Sequence, residues 1–346
     1  MQAALAAGKH VVTANKALLA VHGEALAATA AAHGRRLAYE AAVAGSIPII
    51  KTLREALAAN RIDAVAGILN GTSNYILTRM RDDSLDFAEA LAEAQKQGYA
   101  EADPAFDVDG IDAAHKLTLL AANAFGVPVD FGAVQVQGIR DVTRADITAA
   151  AELGYAVKLL AIARRRGEAL ELRVHPALVA RSNALAWVDG ARNGVAVHGD
   201  ACGPAFYSGA GAGGEPTASA VVADLIDLAR LPVEHAGNGA STGVPTLGTH
   251  ARDAKAPRVL ASGEVVSAHM LHVVADKGLC EASVVGSLQK SGLPIARRKW
   301  VHADGAAPAL VLLTAPVADA MADSAVSRVQ TQCKATVRRL RVHVED

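Results

Sequence analysis

The sequence predicts an α/β protein in three parts: an incomplete doubly wound parallel-sheet unit, a mixed α/β middle domain, and a βαββαβ tail. Three observations carry this. A β-branched run, an alanine-rich helical stretch and a second strand-like run follow one another at the start, in the strand-helix-strand order of a parallel sheet. Residues 266–346 alternate in the order β, α, β, β, α, β, a ferredoxin-like pattern. A chain of 346 residues is also longer than one ordinary core organises, so length argues for two or three domains.

The elements follow in order. An alanine-rich turn stops at Gly8, and His10-Val11-Val12-Thr13 is β-branched and reads as a strand. A helix over 16–32 ends near Gly34, and 35–43 reads as the next strand, so residues 1–45 are half of a Rossmann-type unit. Residues 46–204 form the middle domain: a helix over 48–59, a strand over 63–69 and a helix over 73–81. A helix over 84–97 follows, with Ser84 as N-cap and Gly98 as its stop. Further helices are expected over 111–125, closed by Gly126 and Pro128, and over 151–166, with strands over 170–174 and 187–198. The glycine-rich turn 209–217 leads into an apolar helix over 218–229, and 205–232 is expected to pack back onto the first unit. Residues 233–265, rich in Gly, Pro, Thr, Asn and Ser, read as a linker. The tail then gives a strand over 268–275, a helix over 281–291, strands over 296–302 and 309–314, a helix over 316–332 and a strand over 337–344.

Composition narrows the function classes. Lys and Arg number 34 against 35 Asp and Glu, a formal charge of −1, and the basic residues are scattered, so no nucleic-acid footprint is present. The longest small-apolar stretches are alanine tracts at 3–7 and 27–32, far short of a bilayer span, so no membrane is expected as partner. Cys202, Cys280 and Cys333 lie far apart without metal-ligand spacing and read as free thiols of a reducing cytosol. The N-terminus has no secretory leader pattern, and the protein is placed in the cytoplasm. A small-molecule ligand is the partner these properties leave.

The run from Gly98 to Lys116 packs Glu101, Asp103, Asp107, Asp109 and Asp112 into a loop and a first helical turn. Asp112 and Lys116 stand four residues apart, which puts both on one helical face with the carboxylate nearer the N-terminus. Spacing alone fits a surface ion pair as well as a receptor for a substrate that carries both an ammonium and a carboxylate. Asp103 and Asp109 read as turn and N-cap residues. The histidines and Asn70 to Asn74 read as structural.

The run Gly98-Tyr99-Ala100-Glu101-Ala102-Asp103-Pro104 through Asp107, Gly110, Asp112 and Lys116 resembles a signature of the homoserine dehydrogenases. Four further stretches resemble the same family in the same order: Thr13-Ala14-Asn15-Lys16, the segment from Glu40 to Pro48, the segment from Gly67 to Leu77, and the segment from Gly209 to Asp224 with Ala210 where proline is usual. The resemblance covers most of residues 1–232. It implies NAD(P)-dependent interconversion of L-homoserine and L-aspartate 4-semialdehyde, in the biosynthesis of threonine, methionine and isoleucine.

On that resemblance Lys116 is the catalytic acid. A lysine is protonated at neutral pH, and a carboxylate beside it favours the charged form. Substrate binding is implied for Glu101, Asp107, Asp112 and Lys16, and cofactor binding for Lys16, Gly98 and Gly213, with NADP or NAD as the cofactor. Glu40, Val43, Gly45 and Ile47 match positions that hold a monovalent cation, sodium by preference, largely through main-chain oxygens. The tail resembles an ACT regulatory domain, which implies a threonine effector. Its usual D-x-P-G turn is here Asp276-Lys277-Gly278-Leu279, without proline, so a structural or dimerising role stands as an equal reading. A homodimer or higher homo-oligomer is also implied. The family pattern begins with a strand, a GxGxxG turn and a helix, and residues 1–45 match a region beyond that loop. An N-terminally truncated enzyme is therefore expected, and the alternative is a non-catalytic amino-acid-sensing or assembly protein derived from it. The residue that distinguishes NAD from NADP belongs to the part not matched.

Overall fold

The computed structural model describes residues 1–231, 244–248, 256–275, 278–301 and 308–344. The chain opens with α1 (Gln2–Ala6), and Gly8 takes φ +73° to turn it into β1 (Val11–Val12). Asn15 caps α2 (Lys16–Ala32) by accepting the Leu18 N–H at 3.0 Å. After α2 comes β2 (Leu37–Ala38), which pairs with β1 in parallel, so the expected strand-helix-strand unit is present. The second strand is much shorter than 35–43. At Glu40–Ala42 the chain winds into a 3₁₀ turn, and Ala44 and Gly45 both take positive φ, at 57° and 56°. A strand cannot continue through two left-handed residues.

The middle part begins with α3 (Ile49–Lys51), which runs into a π-turn at Thr52–Ala56 in place of a regular helix to 59. Then come β3 (Ile62–Ile68), α4 (Gly71–Asp82), α5 (Phe87–Lys96), α6 (Ala105–Val108) and α7 (Ile111–Phe125). The N-cap of α5 is Asp86, not Ser84. Its side chain and that of Glu89 form a reciprocal capping box, while Ser84 sits in the preceding turn at φ +56°. Next are β4 (Gln135–Val136), α8 (Arg144–Glu152), β5 (Tyr155–Arg166), β6 (Ala169–Ala180), β7 (Arg192–Gly199), β8 (Gly203–Ala210) and α9 (Gly214–Ala229).

The largest departure from the sequence reading lies at 151–166, where a helix is expected and residues 155–166 form strand β5. The helix lies earlier, started by a Thr143–Asp146 capping box, and Gly154 at φ +91° separates it from β5. In β5 residues Ala156 to Arg164 are all buried, Lys158 and Arg164 included, so the run is buried on both faces and shows no strand alternation. Leu and Ala favour helix locally, but a twelve-residue antiparallel ladder to β6 outweighs that preference. The strand expected over 187–198 starts only at Arg192, because Ala184–Trp187 is a 3₁₀ turn. The glycine- and proline-bearing stretch 203–210 is a strand the sequence does not announce.

The tail contains β9 (Arg258–Val259), β10 (Val266–Ser267), β11 (His269–Val274), α10 (Glu281–Lys290), β12 (Ile295–Val301), β13 (Ala309–Thr314), β14 (Val317–Ala318), α11 (Asp319–Cys333) and β15 (Thr336–His343). The order β12-β13-β11-β15 with antiparallel neighbours is the ferredoxin-like arrangement expected. Of the expected linker, 233–243 and 249–255 lie outside the described residues. The parts described are packed: Leu247 is buried, the Thr246 carbonyl accepts from the Tyr39 hydroxyl at 2.6 Å, and β9 pairs with β6. Asp276 and Lys277 of the turn singled out above also lie outside the described residues.

β15 pairs in parallel with β6 through Arg341 to Ala177, Val342 to Leu178 and His343 to Val179. One sheet therefore runs from the tail through β15, β6, β5, β3 and β7 to β8. Asp146, which caps α8, also reaches the tail: its carboxylate meets His272 Nδ1 at 2.6 Å and Arg338 Nε at 2.9 Å. The main hydrophobic cluster joins Leu19 of α2 and Leu117 of α7 to Met270, Val311 and Leu340 of the tail, while a second cluster under α10 and α11 is the tail's own.

Candidate active site

β3 ends at Ile68, and the chain turns over Leu69 and Asn70 into α4. Asn70 caps that helix with its Oδ1, accepting the Ser73 N–H at 2.8 Å, which leaves its amide hydrogens free to act elsewhere. They donate to Asp107 Oδ1 at 2.7 Å and Asp112 Oδ2 at 2.8 Å. Asp112 lies in the first turn of α7, where a carboxylate faces the positive helix end, and Gly110 at φ +84° makes the bend that starts this helix. Four residues on, Lys116 returns to the same point. Its Nζ donates to Asp112 Oδ2 at 2.7 Å and to the Leu69 carbonyl at 2.7 Å. Lys16, the first residue of α2 beyond β1, brings its Nζ to 3.2 Å from Asp112 Oδ1 and lies 5.8 Å from the Phe106 ring centre.

Two amines from distant parts of the chain thus converge on one carboxylate. Asp112 is 3% exposed and Lys116 8% exposed, so this is no surface ion pair. Burial, the largest influence on Asp112, pushes its carboxyl upward. Lys116, Lys16 and the Asn70 amide together outweigh it and hold the group below its ordinary value. An ammonium has three donors, and Lys116 commits two of them, which leaves one for a substrate atom.

The remaining expected residues are placed as follows. Asp107 joins the cluster through Asn70. Glu101 does not: it is exposed in the loop after α5, where its carbonyl accepts from Gln95 at 3.0 Å, and its carboxylate makes no hydrogen bond or ion pair with the cluster. Gly98 takes φ +76°, and a Cβ there would meet open space, so backbone conformation is what favours glycine at this position. Gly213, at φ +113°, precedes the sixteen-residue helix α9, whose first residues, Gly214 and Glu215, are exposed. Asp103 accepts the Ala105 N–H at 3.1 Å, the turn role expected. Asp109 instead pairs with Arg140, and Gly110 is the N-cap of α7.

Glu40, Val43, Gly45 and Ile47 lie in the sharp turn after β2. The Glu40 carboxylate is already engaged, accepting the N–H groups of Ile50 and Lys51 at 2.9 Å each, while its own N–H donates to Asp224 of α9 at 2.9 Å. Burial pushes the Glu40 carboxyl up to about 7 against the pull of those two amides. Among the described residues no group of three or more His, Cys, Asp or Glu is placed to hold a metal ion, so a cation here would rely on main-chain oxygens.

Two functional neighbours escape sequence reasoning. Asn70 reads as structural, yet it caps a helix and braces both carboxylates at once. Asn193 of β7 donates to the Leu69 carbonyl at 3.1 Å and so shares the oxygen that holds Lys116. Nothing local in the sequence signals this, because β7 meets β3 only through a pairing of residues more than a hundred apart.

A buried lysine-carboxylate pair beside a Rossmann-type strand-helix-strand unit is an arrangement suited to an oxidoreductase that works with a nicotinamide cofactor. The family model described as homoserine dehydrogenase matches residues 48–226, and the one described as its NAD-binding domain matches residues 1–40. The homoserine dehydrogenase of Pseudomonas aeruginosa is 45% identical over 342 residues, 98% of this chain and 78% of that protein. The crystal structure of a homoserine dehydrogenase from Thiobacillus denitrificans superimposes with a TM-score of 0.90 at 46% identity, covering 99% of this chain and 78% of the other. A hyperthermophilic archaeal homoserine dehydrogenase in complex with NADPH gives a TM-score of 0.58 at 30% identity, covering 67% of each chain. The chain belongs to the homoserine dehydrogenase family of NAD(P)-dependent oxidoreductases. Among the described residues no helix is long and apolar enough to cross a membrane.

Proposed function

We propose that the cluster around Asp112 is where this chain interconverts L-homoserine and L-aspartate 4-semialdehyde, with Lys116 as the general acid and base. The observation that supports it is the meeting of Lys116 and Lys16 on the two oxygens of one buried carboxylate, 2.7 and 3.2 Å away. In reduction, the bound NADP or NAD in its reduced form supplies hydride to the aldehyde carbon. The third proton of Lys116 passes to the carbonyl oxygen as charge builds there, a role typically worth roughly 10² to 10⁴ in rate. In oxidation the same nitrogen takes the hydroxyl proton back. Asp112 receives the substrate's polar groups with Asp107 as support, and Glu101, exposed in the loop outside the cluster, would offer its carboxylate from the solvent side. Lys16, Gly98 and Gly213 would hold the cofactor, Lys16 reaching the substrate as well. Backbone amides at the start of α9 suit an anionic phosphate.

Sodium held by the main chain at Glu40, Val43, Gly45 and Ile47 would stiffen the turn between β2 and α3. The ferredoxin-like tail would act as an ACT-like module open to threonine, in a homodimeric cytoplasmic enzyme of threonine, methionine and isoleucine biosynthesis. The deciding experiment follows NADPH oxidation with aspartate semialdehyde. Lys116→Ala is expected to abolish turnover while NADPH binding, read by fluorescence, persists; turnover near the wild-type rate in that variant refutes the assignment.

A further inference from the structure

Asn193 is fully buried, and only one end of its side chain is satisfied. Nδ2 donates to the Leu69 carbonyl at 3.1 Å, whereas Oδ1 has no hydrogen-bond partner. A buried acceptor without a donor is costly, and a structure that keeps one calls for a reason. Flipping the amide offers no relief, since Oδ1 would then face the Leu69 oxygen and two acceptors would repel. The Leu69 carbonyl has two lone pairs, and its two donors are Asn193 Nδ2 and Lys116 Nζ. Asn193 therefore fixes the direction of the oxygen on which Lys116 rests.

The far side of the amide is fixed as well. Asn193 pairs with Gly209 across β7 and β8, and Gly211, just beyond β8, lies against the Asn193 side chain. A Cβ at Gly211 would stand 2.1 Å from Oδ1, 2.2 Å from Cγ and 2.5 Å from Nδ2. Gly211 has no positive φ, so its backbone does not demand glycine; the Asn193 side chain does. The segment that follows, 212–213, leads straight into the N-terminus of α9.

We infer that Asn193 is a positioning residue for Lys116, acting through the Leu69 carbonyl, and that Gly211 is glycine in order to seat it. This rests on the reading of Lys116 as proton donor. Asn193 touches no reacting atom; it aims the ammonium that does, and couples that aim to the glycine-rich approach to α9.

The test is a mutant cycle with two readouts. In Asn193→Ala the Leu69 oxygen loses one donor, and kcat is expected to fall roughly tenfold, the loss of one hydrogen bond of about 1.4 kcal/mol, with KM within about twofold. Gly211→Ala should cause a similar fall by pushing the amide aside. The double variant should be no worse than Asn193→Ala alone, because removing the amide makes room for the new methyl. The second readout needs no turnover: in protein labelled with ¹³C- and ¹⁵N-lysine, the Lys116 side-chain signal, assigned by its loss in Lys116→Ala, should move in both single variants and move no further in the double. Additive effects of the two substitutions, or a Lys116 signal unmoved in a folded Asn193→Ala protein, overturn the inference. A moved signal alongside normal turnover in Lys116→Ala would instead leave the positioning intact and sink the proton-donor reading.

Discussion

Asp112 is the residue on which the site turns, since among the described residues it bonds to both lysines and to Asn70. Its carboxyl is held below the ordinary value, so the sign of its pH effect is fixed. Its stabilising contribution is complete above the usual carboxylate pKa of about 3.9 and is lost as pH falls through the lower folded value. Asp112→Asn is expected to flatten the decline of the urea midpoint below about pH 4; an unchanged acid limb would contradict this. At pH 7 the same variant leaves two neighbouring ammonium groups without their shared counter-charge, and turnover should fall at least about a hundredfold. The Asp112–Lys116 pair is readable from spacing because a helix brings i and i+4 together. Lys16 reaches the pair only by resemblance, and Asn193 by neither route, since its place depends on how β7 crosses the end of β3.

At the level of elements, the start of α2 at Lys16, capped by Asn15, is readable, but a side-chain cap alone does not make a helix start legible: α5 and α8, capped by Asp86 and Thr143, begin away from the expected positions. Helix against strand was not readable where both faces are buried: an Ala- and Leu-rich run such as 155–166 satisfies either pattern until its neighbours are known. The true start of α8 shows what the sequence reading passed over. Asp146 closes the capping box with Thr143 and also bonds His272 of β11 and Arg338 of β15, so one carboxylate ends a helix and docks the tail. Removing one member of a buried charged set strands the others. Asp146→Ala should therefore lower unfolding free energy on the order of 3 kcal/mol, read from urea denaturation at pH 7. A loss no larger than about 1 kcal/mol, the usual value of a cap alone, would mean that the contacts to the tail contribute little.

For the whole molecule, the order of the tail was readable from alternation, whereas its attachment was not. Nothing in residues 177–179 or 341–343 announces that they pair, because parallel strands far apart in sequence carry no local signal. The consequence is thermodynamic. With one hydrophobic cluster running from α2 to the tail strands, the described parts should unfold together, and calorimetry is expected to record a single transition whose calorimetric and van't Hoff enthalpies agree. Two resolved peaks would show the tail to be an autonomous unit.

That zipped edge also bears on how the gene tolerates change. A tail joined by a loop could be lost or exchanged like a cassette. Here, premature termination before β15 would strip a neighbour from β6 and bare its backbone amides and carbonyls as a sticky margin for any other chain. The harm from such a nonsense mutation should therefore show first as clumping of the newly made polypeptide, and only second as lost control of its chemistry.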